Sequence, residues 1–222
     1  MPSPTLKTVL FDLDGTLADT APDLAFALNQ VLIENGRAPL PFEAIRPVVS
    51  HGGIALTRLG FGLEPEHPDF APLRQRLLEI YRENIARETR LFPGMDELLA
   101  HIEENGMNWG VITNKPGWLT EPLLDALGLT SRAACIVSGD SCENRKPHPQ
   151  PILHGCRLAG SEVRECVYVG DAQRDIEAGR RAGMQTLVAL FGYIGEQDQP
   201  GQWQADALLD TPQAIITWLA GR

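Results

Sequence analysis

Apolar and polar positions along the chain fall into three patterns. Near the start, Val9-Leu10-Phe11 is a continuous apolar run that ends in Asp12-Leu13-Asp14-Gly15-Thr16, the pattern of a strand buried on both faces. From Pro22 the period becomes helical: Leu24, Ala27, Leu28, Val31 and Leu32 recur at i, i+3, i+4, i+7 and i+8, with Gly36 placed to stop the helix. Pro39, Pro41 and Pro47 divide the next stretch into short pieces. Ser50-His51-Gly52-Gly53 opens another apolar helical run through Leu56 and Leu59, and a long amphipathic helix follows near Leu73, Leu77, Tyr81 and Ile85. No strand pattern occurs between about Thr20 and Arg90, which predicts an all-helical insert of roughly seventy residues, enough for a small domain.

Past Pro93-Gly94 the chain alternates in the manner of an α/β protein. Strands are predicted at Trp109 to Thr113, Cys135 to Ser138, Cys166 to Val169, Thr186 to Leu190 and Ala207 to Leu209. Helices are predicted at Met95 to Asn105, Leu119 to Leu127, Ile152 to Leu158, Asp175 to Ala182 and Pro212 to Leu219. The polar, Pro- and Gly-bearing stretch Gly195 to Gln204 reads as a surface loop.

Composition narrows the function. With 43% hydrophobic and 22% charged residues over 222 positions, the chain is an ordinary globular protein. A formal net charge of −10 argues against a nucleic-acid groove or an anionic membrane surface as partner. An acidic protein that binds an anion must therefore reverse the field locally, with a metal ion or a placed lysine. Cys135, Cys142, Cys156 and Cys166 show no C-x-x-C spacing and read as buried, reduced thiols. With no signal-like start and no apolar run approaching a membrane span, a cytoplasmic protein is the expectation.

Candidate chemistry collects at strand ends. Asp12 and Asp14, two residues apart, project to one side where the first strand stops, and Gly15 permits an abrupt turn. Buried carboxylates need a cationic or hydrogen-bonding partner. A hard divalent cation would supply one, leaving one carboxylate to act on a substrate; the plainer alternative is an acidic turn. Thr113-Asn114 at another strand tip offers donors to phosphate oxygens, or is simply a turn. Lys146, within Arg145-Lys146-Pro147-His148-Pro149, can place a charge near a helix N-terminus, or is a solvated basic turn. Asp171 ends the strand Val167-Tyr168-Val169-Gly170, and Asp175 follows in the first helical turn, where it faces the same cavity or merely caps the helix.

In their order and strand-tip placement these four motifs resemble the haloacid dehalogenase superfamily of phosphohydrolases, and the resemblance spans essentially the whole chain. It implies a Rossmann-like three-layer core with a parallel sheet, formed by residues 1–19 and 90–222, and an inserted all-helical cap of residues 20–89 closing over the site. It implies Asp12 as nucleophile forming an aspartyl-phosphate, and Asp14 as the acid and base for the leaving alcohol and the water. It implies Mg²⁺ held by Asp12, the Asp14 carbonyl and Asp171, with Asp175 a ligand through water or a support behind. Gly15, Thr113, Asn114 and Lys146 would bind the phosphoryl oxygens. Members that dehalogenate lack an acid two residues after the nucleophile, so Asp14 points to phosphoryl transfer. Within the superfamily the chain is similar to the phosphoglycolate phosphatase branch, and Leu91-Phe92-Pro93-Gly94-Met95, the run Trp109 to Pro116, Phe191-Gly192-Tyr193-Ile194 and Trp203-Gln204-Ala205-Asp206 carry a narrower likeness. By these stretches it resembles that branch's N-acetylmuramic acid 6-phosphate phosphatases. The partner implied is a small phosphate ester, with the oligomeric state left open. A phosphomutase and a non-catalytic binder of phosphorylated ligands remain alternatives. Substrate choice is expected in the cap, where His51, Gly52, Gly53 and Arg58 are candidates.

Overall fold

A computed structural model describes residues 5–222; residues 1–4 of the expected core lie outside the described residues. In chain order the elements are β1 (Thr8–Phe11), β2 (Ala18–Asp19), α1 (Ala21–Glu34), α2 (Phe42–Ile45), α3 (Gly52–Phe61), α4 (Phe70–Glu83) and β3 (Arg90–Leu91). There follow α5 (Met95–Glu104), β4 (Asn108–Ile112), α6 (Gly117–Ala126), β5 (Cys135–Val137), α7 (Gln150–Leu158), β6 (Cys166–Gly170), α8 (Gln173–Ala182), β7 (Gln185–Ala189), β8 (Ala207–Leu209) and α9 (Pro212–Ala220). Six strands form one sheet in the order β5-β4-β1-β6-β7-β8, all parallel.

Both faces of the sheet are covered, which is why its strands read as unbroken apolar runs. Val9, Phe11, Val111, Val167 and Val169 face one apolar cluster, and Leu10, Ile112 and Tyr168 face another. The order reverses direction at β1, with β4 on one side and β6 on the other. In open α/β sheets a ligand crevice forms at such a switch point, beyond the strand C-termini. Asp12, Thr113 and Asp171 each follow the last residue of one of these three strands.

Between β2 and β3 the described residues carry helices joined by loops and no strand, as the sequence pattern predicts. α1, α3 and α4 contribute Leu24, Leu28, Leu56 and Leu77 to the same apolar cluster that covers one face of the sheet. α4 ends at Glu83, short of Ile85, because the Asn84 side chain donates to the Ile80 carbonyl at 2.8 Å and terminates the helix. The two-residue ribbon of β2 and β3, with Ala18 opposite Leu91 and Asp19 opposite Arg90, has no counterpart in the sequence pattern, since two residues cannot show a period. The loop from Gly195 is not wholly at the surface: Trp203 is buried against Ile176 and Val188. An indole carries enough apolar area to draw an otherwise polar loop inward.

Asp23 ties the two ends of the helical insert together. Its buried carboxylate accepts from the backbone amides of Glu88 (3.0 Å) and Thr89 (2.9 Å) and from the Thr89 hydroxyl (2.7 Å). Removing it strands buried donors, so Asp23→Ala should lower folding stability by about 2–4 kcal/mol in urea denaturation. A loss below about 0.5 kcal/mol would show that this junction is not held by Asp23.

Candidate active site

Asp12 is fixed at the tip of β1 by its own backbone: its amide donates to Val169 O at 2.9 Å, and the Leu13 amide donates to Asp12 Oδ1 at 2.7 Å. Asp171, following β6, accepts from the Tyr193 amide at 3.0 Å and from Ser50 Oγ at 2.5 Å. Asp175, in the first turn of α8, accepts from the Ala172 amide at 3.0 Å, so it does cap its helix. It also joins the cluster: one carboxylate oxygen from each of Asp12, Asp171 and Asp175 lies within 4.8 Å of the others, and all three residues are buried.

Beneath these carboxylates lies Lys146, fully buried. Its Nζ stands 3.0 Å from Asp12 Oδ1 and 2.8 Å from Asp175 Oδ1, and it donates to Ile112 O and Tyr168 OH, each at 2.8 Å. Three N–H groups thus face four acceptors, and Asp175 Oδ1 is left without a well-formed hydrogen bond. Three clustered carboxylates with an under-satisfied buried oxygen are the donor chemistry of a hard divalent cation.

Electrostatics separate the carboxylates. Burial raises the Asp12 carboxyl, but the charges of Lys146 and Arg174, with hydrogen bonds from Lys146 and the Leu13 amide, outweigh it and hold Asp12 below the usual carboxylate range. Asp12 is therefore ionised at neutral pH. Burial, reinforced by the charges of Asp12 and Asp175, pushes Asp171 up to about 7. Asp175 is raised by burial and by Asp12, against the opposing pull of Lys146 and Arg174.

Asp14 stands apart from the cluster. Its Oδ1 accepts from Thr20 Oγ1 at 2.6 Å and from Lys115 Nζ at 2.8 Å. Lys115 also lies over the Tyr81 ring, 4.5 Å from its centroid. Burial would lower the Lys115 ammonium, but Asp14 and Tyr81 hold it above the usual lysine range. Asp12, Asp14, Thr113 and Lys115 form the core side of a cavity of about 500 Å³, and His51, Gly52 and Gly53 form part of the side supplied by the helical insert. Gly15 has φ +86°, and a Cβ there would lie 2.1 Å from Asp171 Oδ2, so only glycine permits the turn that brings the first motif against the last.

Several expected residues lie elsewhere than anticipated. Lys146 is not on the cavity wall, and its ammonium meets carboxylates rather than open space. Asn114 lines the cavity, yet its side chain clasps the Lys146 backbone, donating to its carbonyl at 2.9 Å and accepting from its amide at 3.1 Å. Arg58 is not brought to the site: its half-exposed guanidinium pairs with Glu64 at 2.6 Å, away from the cavity. His51 is exposed at the cavity rim, and the partial desolvation of its ring together with the Arg174 charge lowers its pKa below the usual histidine value.

Three residues at the site escaped sequence reasoning. Lys115 directly follows Asn114, and Arg174 directly precedes Asp175, so the need for local cations in an acidic chain was the signal that could have found both. Arg174 Nη2 lies 3.9 Å from Asp12 Oδ2 and donates to Ser50 O at 2.7 Å. Ser50 carried no signal, because its hydrogen bond to Asp171 spans 121 residues of sequence.

A parallel sheet with buried carboxylates converging at its switch point, above a buried lysine and beneath a helical insert, defines an enzyme of the Rossmann-like hydrolase class. The chain belongs to the haloacid dehalogenase-like hydrolases, whose family pattern matches residues 9–189. It is 41% identical over 211 residues to the N-acetylmuramic acid 6-phosphate phosphatase of Pseudomonas aeruginosa, covering 95% of this chain and 93% of the relative. It is 42% identical over 209 residues to a phosphoglycolate phosphatase of Xylella fastidiosa, covering 94% and 91%. The crystal structure of a predicted phosphoglycolate phosphatase from Haemophilus somnus superposes with a TM-score of 0.85 at 27% identity, covering 97% of this chain and 98% of that one. Among the described residues no helix is long and apolar enough to cross a membrane.

The crowded carboxylates should make stability depend on pH. In the metal-free protein Asp171 keeps a proton until pH about 7, whereas in the unfolded chain it loses that proton near its ordinary value of 3.8. Stability should therefore fall as pH rises between these values, by on the order of a few kcal/mol. Asp171→Asn should flatten this slope and remove the protection conferred by a divalent cation. Urea unfolding at pH 5 and pH 8, with and without EDTA, reads both effects. An unaltered slope in the variant would show that Asp171 ionises as an ordinary surface acid does.

Proposed function

We propose that this chain is a Mg²⁺-dependent phosphomonoester hydrolase that works through an aspartyl-phosphate on Asp12, with residues 20–89 acting as its cap. The observation that carries this reading is the pairing at the cavity floor. Asp12 is held ionised by Lys146 and Arg174, and a second carboxylate, Asp14, stands beside it on a separate cation, Lys115.

An Asp12 oxygen attacks phosphorus and the P–O bond to the leaving alcohol breaks, while Asp14 gives that oxygen its proton. Asp14 then takes a proton from water as the water attacks phosphorus, releasing phosphate and restoring Asp12. Lys115 beside Asp14 is positioned to steady its charge between these two steps. The Thr113 hydroxyl, which already accepts from the Lys115 amide at 3.1 Å, and the backbone amides near Gly15 are the neutral donors offered to phosphoryl oxygens. Mg²⁺ would be held by Asp12, Asp171 and the Asp14 carbonyl, with Asp175 behind, and would supply the positive charge that lets an anionic ester approach so many carboxylates. Lys146, beneath the cluster, keeps the Asp12 and Asp175 carboxylates in place.

For substrate we infer N-acetylmuramic acid 6-phosphate, the compound named for the Pseudomonas relative. The cavity of about 500 Å³, with Ile54, Leu78 and Trp118 on its walls, suits an amino-sugar phosphate better than a two-carbon acid phosphate.

Asp12→Asn should reduce hydrolysis of p-nitrophenyl phosphate by at least about 1000-fold while leaving the unfolding midpoint near that of the unmodified chain. Activity near normal would sink the covalent mechanism. Equal rates in EDTA and in magnesium would remove the metal from it. The substrate is decided by kcat/KM for N-acetylmuramic acid 6-phosphate against 2-phosphoglycolate on one preparation, where a preference for the latter would overturn our choice and leave the chemistry standing.

A further inference from the structure

The wall that the helical insert gives to the cavity carries one arginine that the fold does not pair. Arg74, on α4, lines the cavity, and its Nε is buried without a hydrogen-bond partner among the described residues. Its neighbour Arg76 is paired with Glu34 and Glu79, but no carboxylate reaches Arg74 among the described residues. An orphaned buried donor is costly, and the usual reason for keeping one is an acceptor that arrives from outside.

The other cations around the cavity are already engaged. Lys115 is on Asp14, and Arg174 is on Ser50 O with Asp12 nearby. Arg145 is exposed at the rim, with its Nε donating to Gly139 O at 2.6 Å. The carboxylates on the cavity wall are Asp12 and Asp14, both from the core, so the region around Arg74 has no anion of its own.

Beside Arg74 the ten-residue helix α3 begins at Gly52, with no side-chain cap and no acid in its first turn. Gly52, Gly53 and Ile54 line the same wall, so the positive end of that helix adds to the arginine's field. Gly53 is what lets the two meet: a Cβ there would lie 3.6 Å from Arg74 Nε and 3.2 Å from Leu78 Cδ2. Ile54 and Trp118, 44% and 39% exposed, offer apolar surface on the same cavity.

We propose that Arg74 binds a carboxylate of the substrate, so that the enzyme selects phosphomonoesters carrying a carboxylate remote from the phosphate on a body large enough to bridge the cavity. This rests on the phosphatase reading and deepens it. The phosphate end lies over Asp12, the carboxylate end meets Arg74 and the first amides of α3, and the non-polar parts of the ligand lie against Ile54 and Trp118. A guanidinium suits this because its planar edge takes a carboxylate through two parallel hydrogen bonds.

The test compares N-acetylmuramic acid 6-phosphate with N-acetylglucosamine 6-phosphate, which lacks only the lactyl ether that bears the carboxylate. The quantity read is the ratio of their kcat/KM values, which a general loss of folded enzyme leaves unmoved. Arg74→Met should cut that ratio by about 10- to 100-fold, chiefly through KM for the lactyl compound. Arg74→Lys, which keeps the charge but loses the planar fork, should cut it less, and Arg145→Met should leave it as it was. Equal losses on both substrates in Arg74→Met, or an equal fall of the ratio in Arg145→Met, would overturn the proposal. Turnover of p-nitrophenyl phosphate by the unmodified enzyme keeps the two inferences separate. Turnover without preference for the lactyl compound overturns only the role of Arg74, whereas no turnover of any phosphomonoester overturns the phosphatase reading and this proposal together.

Discussion

The site depends on one buried ammonium. The Lys146 ammonium lies beneath Asp12 and Asp175 with no exposed surface, and removing its charge would leave these buried carboxylates with Arg174, 3.9 Å from Asp12, as their remaining counter-charge. Its position is secured from the backbone side, where Asn114 holds both its amide and its carbonyl, and from the side chain, where Ile112 O and Tyr168 OH accept from Nζ. The tips of β1, β4 and β6 are thereby joined through a single charged atom, and that junction coincides with the switch point of the sheet.

Around that junction the charges divide into two systems. Asp12, Asp171 and Asp175 share Lys146 and Arg174, which is fewer cations than carboxylates, and burial, reinforced by that shortfall, raises the pKa of Asp171. Asp14 has Lys115 to itself. Two carboxylates that stand two residues apart are thus given different surroundings, which suits the nucleophilic and acid–base roles proposed for them. Lys115 and Arg174 stand on the cavity wall and Lys146 lies beneath its floor, so a chain of net charge −10 gathers cations at this one place.

The helical insert and the core meet in two ways. Apolar side chains of α1, α3 and α4 belong to the cluster that covers one face of the sheet, which makes the insert part of one hydrophobic core. Across the cavity the contacts are polar: Ser50 reaches Asp171, and Arg174 reaches Ser50 O. At the junction itself, Asp23 and the short ribbon of β2 and β3 hold the chain's departure and return side by side.

Much of this was legible in the residues. Unbroken apolar runs ending in Asp12 and Asp171, helical periodicity from Pro22, and the alternation after Gly94 each report a local constraint, and local constraints leave a period in the sequence. The acidic motifs were legible because an apolar strand that runs straight into carboxylates carries charge to the edge of the core, where it is costly unless a cation meets it. Relations between distant positions left no such mark. That Lys146 meets carboxylates below the cavity floor, that Asn114 clasps its backbone, that Arg58 turns to Glu64, and that Trp203 pulls a polar loop inward all depend on which side chains come to share one space in the packed chain. The placing of Ser50 on Asp171 and of Arg74 without a partner belongs to the same kind. Periodicity fixes which face a residue occupies, but only the packed structure decides what stands opposite it, because that is set by contacts many residues apart along the chain.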